Sequence, residues 1–203
     1  MKMALFVLVL LTCCGVHQAQ EKKSSIGAFG GETPDERAST RVLYWDSAKD
    51  SAAGEFAIDY GRPLWKKEYD DPAKFDAMTK GKVWRMGNNF WTVLDTSLPL
   101  KLGGKEVPIG SYYLGIYRSG DGNQWNLAFI DPVKVRAARL DGFQIEKAPV
   151  QFKVPVTFEV SNTPSEKLTV TFQHQKDKPK EVIMKVLWGK MTLTAPIQVV
   201  LTE

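Results

Sequence analysis

Apolar and polar side chains alternate at every second position over much of the chain from Arg41 onward. Phe56, Ile58 and Tyr60, for example, are separated by polar or small residues. A period of two places the apolar side chains on one face of an extended strand, so this segment predicts a half-buried β-strand. The pattern recurs in five later groups: Tyr112, Leu114 and Ile116; Trp125, Leu127 and Phe129; Leu168, Val170 and Phe172; Val182, Met184, Val186 and Trp188; and Leu193, Ala195, Ile197, Val199 and Leu201.

Turn-forming residues separate these segments and predict how the strands pair. The run Arg118-Ser119-Gly120-Asp121-Gly122-Asn123 predicts a β-hairpin, and Gly103-Gly104 supplies the positive φ angles of a two-residue turn. The last three apolar groups, separated by the Lys176–Lys180 turn and by Gly189-Lys190, predict a three-stranded antiparallel meander. Together these signals predict an all-β fold, a mostly antiparallel, jelly-roll-like β-sandwich with one or two short helices.

Two aspartate-proline pairs predict the short helices. Asp71-Pro72 is a helix N-cap followed by a first-turn proline, and it precedes a helix over Ala73–Thr79. Asp131-Pro132 repeats the signal before Val133–Leu140, which ends at a glycine. Both helices are short enough to be interruptions of a sheet rather than layers of the fold.

The N-terminus predicts export. Met1-Lys2-Met3 is followed by the uninterrupted apolar run Ala4–Leu11, which is typical of a secretory signal and too short to cross a bilayer of about 30 Å as a helix. The predicted organisation is a signal peptide at residues 1–19, a disordered polar leader at 20–38 and one β-sandwich domain at 39–203. We therefore expect an extracytoplasmic protein, periplasmic or secreted, without a transmembrane span.

Both cysteines, Cys13 and Cys14, lie in the signal segment, so the mature domain has no cysteine for a disulfide. Leu11-Thr12-Cys13-Cys14 is also an imperfect match to a bacterial lipobox. Two outcomes therefore remain open. Either the signal is cleaved after Gly15 or Ala19, or Cys14 is acylated and the protein becomes an outer-membrane lipoprotein with a lipid anchor.

Composition excludes several classes of function. The chain has 27 Lys and Arg against 23 Asp and Glu, and its only basic run, Lys176–Lys180, lies among turn residues. A nucleic-acid partner is therefore not expected, since such a partner requires a basic face. His174 and, if cleavage falls early, His17 are the histidines available, so a histidine-based catalytic apparatus and a zinc site are not predicted. We expect no metal and no cofactor.

Unusual local chemistry is concentrated in two stretches next to turns. Asp59-Tyr60-Gly61-Arg62-Pro63 ends an early strand, and Lys82–Thr92 contains tryptophan, arginine and two asparagines. A guanidinium in such surroundings can stack on an aromatic ring and hold a carboxylate through two hydrogen bonds. The predicted ligand site is the surface that joins six residues: Arg62, Trp65, Trp84, Arg85, Asn88 and Asn89. The predicted partner is anionic or hydroxyl-rich, such as a small molecule, a glycan or another envelope component.

Three interpretations of function remain open. The first is a non-enzymatic binding or envelope-associated β-sandwich that uses this surface. The second is a hydrolase of envelope polysaccharide or peptide, which needs two carboxylates within about 10 Å of each other in an open cleft. The third is an assembly subunit with an exposed apolar patch and no concave polar pocket. The carboxylates available to a hydrolase are Asp59, Glu68, Asp70, Asp71 and Asp95.

A purely structural interpretation of the two arginines is also possible. Arg62 and Arg85 can each pair with Asp59, Asp95 or another carboxylate and fix a loop to a sheet edge. Such a partly buried pair contributes little net stability but is costly to break from one side. Most of the six tryptophans lie in alternating strands and are expected to fill the core.

Four ordered sequence elements stand out: Tyr60-Gly61-Arg62-Pro63; Val83-Trp84-Arg85-Met86-Gly87-Asn88-Asn89; Gly104-Lys105 with Val107-Pro108-Ile109-Gly110-Ser111-Tyr112 and a Trp125 strand; and Leu187-Trp188-Gly189. They resemble the bacterial domain-of-unknown-function family 2911, whose members carry Tyr-Gly/Ser-Arg-Pro, Trp-Arg-Thr-Gly-Ala-Asn and Pro-Ala-Gly-Thr-Tyr elements in this order. The chain departs from the family at Leu64–Glu68, where a Lys-Gly-Arg-like segment is usual, and at Met86 and Asn88. The resemblance covers about residues 54–200 and implies an exported bacterial protein, without an activity, substrate or catalytic residue.

Overall fold

The computed structural model of the chain describes residues 26–28 and 36–201. Residues 26–28 are exposed and belong to no helix or strand. The predicted signal peptide, with both cysteines, and most of the predicted leader lie outside the described residues. The first strand begins at Arg37, two residues before the predicted start of the domain, because Arg37 pairs with Gly61 of the next strand and binds the Asp59 carboxylate.

Within the described residues, ten strands join into one antiparallel sheet. Their bounds are β1 Arg37–Asp46, β2 Ser51–Gly61, β3 Val83–Arg85, β4 Thr92–Thr96, β5 Leu100–Leu102, β6 Lys105–Val107, β7 Gly110–Arg118, β8 Trp125–Ile130, β9 Val150–Gln175 and β10 Lys178–Val199. The order across the sheet is β1-β2-β4-β7-β8-β9-β10-β5-β6, and the short β3 pairs with the second half of β7. The prediction of an all-β, mostly antiparallel fold is confirmed.

Strand β9 carries the sheet from one half of the domain to the other. Its residues 150–156 pair with β8, whereas its residues 157–175 pair with β10. The two halves face each other across an apolar interior. The Tyr60 hydroxyl of β2 accepts a hydrogen bond from the Val170 amide of β9 at 3.0 Å, and the ring centroids of Phe56 and Phe172 lie 4.8 Å apart. The bent sheet therefore packs on itself as a sandwich.

The apolar face of each predicted strand fills this interior. The following core residues are at most 3% exposed: Phe56, Ile58, Leu114, Ile116, Leu127, Phe129, Leu168, Val170, Met184 and Val186. Gly103 and Gly104, at φ 54° and 83°, form the predicted tight turn between β5 and β6. Alternation and turn chemistry thus agree with the observed strands.

The three-stranded meander predicted for the C-terminal third is wrong in one respect. The last two apolar groups belong to a single strand, the 22-residue β10, which pairs with β9 and then with β5 through Ile197–Val199. Gly189 adopts left-handed backbone at φ 57°, and the register with β9 shifts on both sides of it. This bulge moves the buried side chains from even to odd positions, from Trp188 to Met191 and Leu193, without ending the strand.

Both predicted helices form. α1 spans Pro72–Thr79 and α2 spans Pro132–Ala137, and in each the preceding aspartate accepts backbone hydrogen bonds from the first turn. α2 ends before the predicted Leu140, since Arg139 adopts left-handed backbone at φ 54° and cannot continue the helix. Two 3-10 helices accompany them, at Lys67–Asp70 and Gly142–Lys147.

A second apolar cluster covers the outer face of the sheet. Trp91 stacks in parallel on Tyr113 of β7, with ring centroids 4.7 Å apart. Val135 of α2 and Ile145 of the second 3-10 helix are buried in the same cluster. These two short helices therefore shield an outer sheet face that would otherwise expose apolar side chains.

Candidate functional site

Trp188 links three segments that are far apart in the sequence. Its ring is buried, and its Nε1 donates a hydrogen bond to the Pro63 carbonyl oxygen at 3.0 Å. The Trp65 ring meets it edge to face with centroids 5.0 Å apart, and the Trp84 ring lies at 5.9 Å. Aromatic pairs attract each other beyond the effect of buried area alone. Trp188 therefore holds the loop after β2 and strand β3 against β10.

Two glycines allow close backbone approaches at this junction. A Cβ at Gly189 would lie 2.5 Å from Cε2 of Trp65, and a Cβ at Gly61 would lie 2.5 Å from the carbonyl oxygen of Asn88. Neither distance leaves room for a side chain. Trp65 consequently packs directly on the β10 bulge, and the end of β2 packs on the backbone of Asn88.

Next to this junction lies a cavity of about 610 Å³, which we call the aromatic pocket. It is lined by Trp65, Tyr69, Asp70, Pro72, Phe75, Asp76, Arg118, Trp125, Phe158, Val160, Lys190 and Met191. Five of these residues carry aromatic rings, and four are charged, two of each sign. Concave sites of this size with mostly apolar walls and a few polar groups are typical of small-ligand binding.

Phe158 presents an aromatic face to the pocket. It stacks in parallel on Trp125, with centroids 5.2 Å apart and planes 9° apart, and it remains 39% exposed. Trp125 itself is buried, and the Arg118 guanidinium lies 5.0 Å from its ring centroid. Part of Phe158 therefore remains accessible to a ligand in the pocket. Val160, 66% exposed, continues this apolar wall.

Arg118 anchors helix α1 to the sheet. Its Nη1 donates to Oδ1 of Asp76 at 2.6 Å and to Oγ1 of Thr79 at 3.1 Å, and its Nε donates to the Gly122 carbonyl oxygen at 2.9 Å. The Asp76 carboxylate also lies 2.6 Å from Nζ of Lys80. The hydrogen bonds from Lys80 and then Arg118 lower the pKa of Asp76 below its ordinary value.

Acid should weaken the attachment of helix α1 to the sheet, because it protonates the Asp76 carboxylate. A carboxyl whose pKa is lower in the folded state stabilises the fold above its unfolded pKa, and this contribution is lost as the pH falls through the lowered pKa. In the wild-type protein, tryptophan fluorescence should therefore change on titration below about pH 4. Asp76→Asn should lack the fluorescence change that is caused by protonation of Asp76. Its fluorescence at neutral pH should already be that of the loosened pocket.

The matched control for that titration is Asp46→Asn. Asp46 is another carboxyl with a lowered pKa, caused by hydrogen bonds from Lys49 and neighbouring amides, and it lies outside the aromatic pocket. Its substitution can alter the emission of the neighbouring Trp45, but it should leave the part of the titration that is lost in Asp76→Asn in place. A titration of Asp76→Asn that matches the wild type would contradict the role assigned to Asp76.

Two charged groups of the pocket form no ion pair with any described residue. Asp70 accepts a hydrogen bond from Nε1 of Trp65 at 3.0 Å, which orients the indole ring. Lys190 follows the Gly189 bulge and is exposed. Its ammonium group has neither a hydrogen bond nor an ion pair within the part of the chain that the structure describes. Both groups are therefore available to a ligand.

Three other cavities lie along β1, β5 and the β9–β10 hairpin. Their volumes are about 430, 360 and 460 Å³. Only the last contains Tyr or Trp side chains, those of Tyr44 and Trp45, and His174 lies at its edge as an exposed residue. The aromatic pocket, with its five rings and paired charges, is the stronger candidate site.

The structure brings only part of the predicted ligand surface together. Trp65 lines the aromatic pocket, and Trp84 lies behind it against Trp188. Nε1 of Trp84 is buried and has no hydrogen-bond acceptor among the described residues. Of the six predicted residues, Trp65 alone lines this pocket.

Arg62 lies on the β9 side of the junction. Its Nε donates to the Leu168 carbonyl oxygen at 3.3 Å, and its Nη2 donates to Oγ1 of Thr169 at 3.2 Å. Its carboxylate partner is Glu36, at 3.9 Å, and not Asp59, which Arg37 binds. These contacts tie the loop after β2 to β9 and match the structural interpretation of this arginine.

Arg85 faces away from Trp84, because neighbouring side chains of a strand point to opposite faces of the sheet. Its Nη1 donates to the Asn89 carbonyl oxygen at 2.6 Å, and its guanidinium lies 4.3 Å from the ring centroid of Phe143. Burial lowers the pKa of Arg85, and the Asp141 carboxylate partly offsets this effect. Arg85 and Asn89 therefore belong to the outer face, apart from the aromatic pocket.

Two of the carboxylates proposed for a hydrolase are close together. Asp59 of β2 and Asp95 of β4 are diagonal neighbours on one outer sheet face, a spacing of about 7 Å between such positions. Asp59 is bound by Arg37, however, and Asp95 accepts a hydrogen bond from the Ser111 hydroxyl. Neither residue lines any of the four cavities. The others have local roles: Asp70 binds Trp65, Asp71 caps α1 and Glu68 lies 3.7 Å from Lys66.

Sequence reasoning missed most residues of the aromatic pocket. Strand parity places Trp125 in the core, which is correct, but it does not reveal that Phe158 stacks on it. One local signal was available: an apolar stripe at Val154, Val156, Phe158 and Val160 continues past the segment that pairs with β8. Phe158 and Val160 lie beyond that segment, and both are exposed.

The described residues contain no group of three His, Cys, Asp or Glu side chains placed to hold a metal ion. In that same part of the chain, no helix is long and apolar enough to cross a membrane. The predicted lipidation site, Cys14, falls outside the described residues and stays a prediction.

Comparison with known families gives one match. A family model described as "Protein of unknown function (DUF2911)" matches residues 46–197, which include the Trp188 junction and the whole aromatic pocket. Searches of curated proteins and of solved structures find no match. The family match covers most of the chain and agrees with the four sequence elements. This chain belongs to the DUF2911 family of proteins of unknown function.

Proposed function

We propose that this protein is an exported, non-enzymatic binding protein that holds a saccharide in the aromatic pocket. The observation that carries the proposal is the partly exposed Phe158 ring, which stacks on Trp125 and lines a cavity of about 610 Å³. The C–H groups on one face of a pyranose ring carry partial positive charge, and the face of an aromatic ring carries partial negative charge. A flat, partly exposed phenyl ring therefore suits the apolar face of a sugar.

The polar groups of the pocket suit the hydroxyls of the same ligand. Asp70 uses one of its carboxylate lone pairs on Trp65, and a carboxylate can accept several hydrogen bonds. Lys190 supplies three donors. Acceptors and donors at the edge of an apolar wall allow a hydroxyl-rich ligand to replace the water that it gives up on binding.

The extracytoplasmic location is part of the proposal. It is supported by the apolar run Ala4–Leu11 after Lys2, which is typical of a secretory signal. A periplasmic, a secreted and a Cys14-anchored form are all compatible with saccharide binding at an envelope. Mass determination of the mature N-terminus distinguishes the three.

Binding of soluble oligosaccharides to the full chain, measured by calorimetry on a panel of linkages and charges, tests the proposal. Phe158→Ala should weaken binding of the best ligand about tenfold, because it removes the stacking surface. The matched control is Phe143→Ala, which removes an exposed phenyl ring on the outer face, away from the pocket. It should bind as the wild type does.

Two results would overturn the proposal. One is a panel in which no saccharide binds. The other is a Phe158→Ala variant that melts as a folded protein and binds its saccharide with undiminished affinity. The melting temperature of each variant must be measured alongside, because Phe158 also packs on Trp125.

The two alternative functions have less support. A hydrolase would use Asp59 and Asp95, but their carboxylates are already bound by Arg37 and Ser111 on an open sheet face. Mass spectrometry of the same oligosaccharides after incubation tests this alternative directly, with cleavage products as its positive result. An assembly subunit predicts an apolar patch without a concave polar pocket. Leu43 and Trp45 are half-exposed on edge strand β1 and could belong to such a patch. The aromatic pocket, however, is concave and contains charged groups, which this interpretation does not predict.

A further inference from the structure

We propose that the aromatic pocket selects acidic saccharides, and that the Lys190 ammonium is the contact for the sugar carboxylate. This inference rests on the proposed function and narrows its class of ligand. Three observations support it: the pairing of charges in the pocket, the position of Lys190, and the apolar surface of Phe158 and Val160 in the same pocket.

Two of the four charged residues that line the pocket, Asp76 and Arg118, pair with each other. The Asp76 carboxylate lies 2.6 Å from both Nη1 of Arg118 and Nζ of Lys80. Asp70 accepts the indole hydrogen bond of Trp65. Of the two charged lining residues without an ion pair, Asp70 is thus already in contact with Trp65, whereas Lys190 has no partner among the described residues. The unpaired Lys190 ammonium attracts an anionic ligand to this edge of the pocket.

The β10 bulge determines where the Lys190 ammonium lies. Gly189 turns the strand through left-handed backbone, so that Lys190 stays exposed while Met191 on its other side is buried and lines the pocket. Lys190 therefore stands exposed at the edge of the cavity, and its ammonium group has no partner among the described residues. A surface lysine without a partner loses little on accepting a ligand carboxylate, because no existing ion pair is broken.

A uronic acid carries the two features that this arrangement recognises. Its pyranose ring has an apolar face that can stack on Phe158, and its carboxylate projects from the edge of the same ring. Stacking orients the ring, and an edge carboxylate can then reach a cation at the rim of the cavity. A charge-assisted hydrogen bond of this kind should strengthen binding about tenfold over an uncharged group of the same shape.

The test compares a short oligogalacturonate with its methyl ester, which has the same sugars and linkages but no carboxylate charge. Both are titrated into the full chain by calorimetry at low and high salt. The acid should bind about tenfold more tightly than the ester. Added salt should reduce this preference, since it screens an exposed ion pair.

Lys190→Gln should remove the preference for the acid, so that the acid binds this variant no more tightly than the ester does. Lys147→Gln, which removes another exposed lysine outside the pocket, is the matched control and should keep the preference. Equal binding of the acid and the ester, or a preference that survives in Lys190→Gln, would overturn this inference while the proposed function stands. If neither these probes nor any neutral saccharide binds, the proposed function fails with it.

Discussion

Replacing Gly189 with alanine should destabilise the domain by about 3 kcal/mol, a fall in melting temperature of roughly 10 °C for a chain of this size. Two effects combine. Left-handed backbone at φ 57° disfavours any side chain with a Cβ, and the new methyl group would lie 2.5 Å from Cε2 of Trp65. The indole would have to move, and its contacts with Trp188 and Asp70 would move with it.

Gly104→Ala is the matched control, because it separates the backbone cost from the packing cost. Gly104 is also left-handed, at φ 83°, but nothing lies within 4 Å of the position of its Cβ. Its substitution should cost only about 1 kcal/mol. Thermal melts of both variants measure the difference, and equal losses would mean that Trp65 does not pack on the bulge as described. Gly189→Ala should in addition weaken saccharide binding, since Trp65 lines the pocket.

Replacing Gly61 with alanine should be comparably severe, with a loss of about 3 kcal/mol or more. Here the obstacle is backbone: a Cβ would lie 2.5 Å from the carbonyl oxygen of Asn88 and 2.9 Å from its amide nitrogen. A side chain can rotate away from a new methyl group, but a turn held between two strands cannot. The end of β2 and the segment after β3 would therefore have to separate.

The control for Gly61 is Gly120→Ala. Gly120 lies in the β7–β8 turn without left-handed backbone, and nothing lies within 4 Å of its Cβ position. This variant should melt within about 0.5 kcal/mol of the wild type. A Gly61→Ala protein as stable as Gly120→Ala would show that the two segments do not meet as closely as the structure places them.

Three of the four sequence elements meet at one place in the structure. Gly61 of the first element packs on Asn88 of the second, and Trp188 of the last donates a hydrogen bond to the Pro63 carbonyl oxygen of the first. The elements thus form one structural junction beside the aromatic pocket. Of the predicted arginines and asparagines, Arg62 and Asn88 belong to this junction, whereas Arg85 and Asn89 belong to the outer face. The ligand groups proposed here lie next to the junction.

Local features of the sequence were sufficient to predict the elements of the fold. Side chains of an extended strand alternate between its two faces by covalent geometry, so the positions of Phe56, Leu127 and Val186 predicted their burial without knowledge of any partner strand. The Asp71 and Asp131 caps and the Gly103-Gly104 turn are also local, because the atoms concerned are a few bonds apart.

Only the tertiary structure decided how these elements combine. The β5–β6 hairpin follows β4 in the sequence but lies at the far edge of the sheet beside β10, and the two segments separated by Gly189 are one strand. Arg62 pairs with Glu36, and the aromatic pocket joins Trp65, Arg118, Phe158 and Lys190. Such pairings depend on which apolar surfaces bury each other across the whole chain. Alternation shows that a face is buried but not what covers it, and therefore the strands could be predicted from the sequence while the pocket could not.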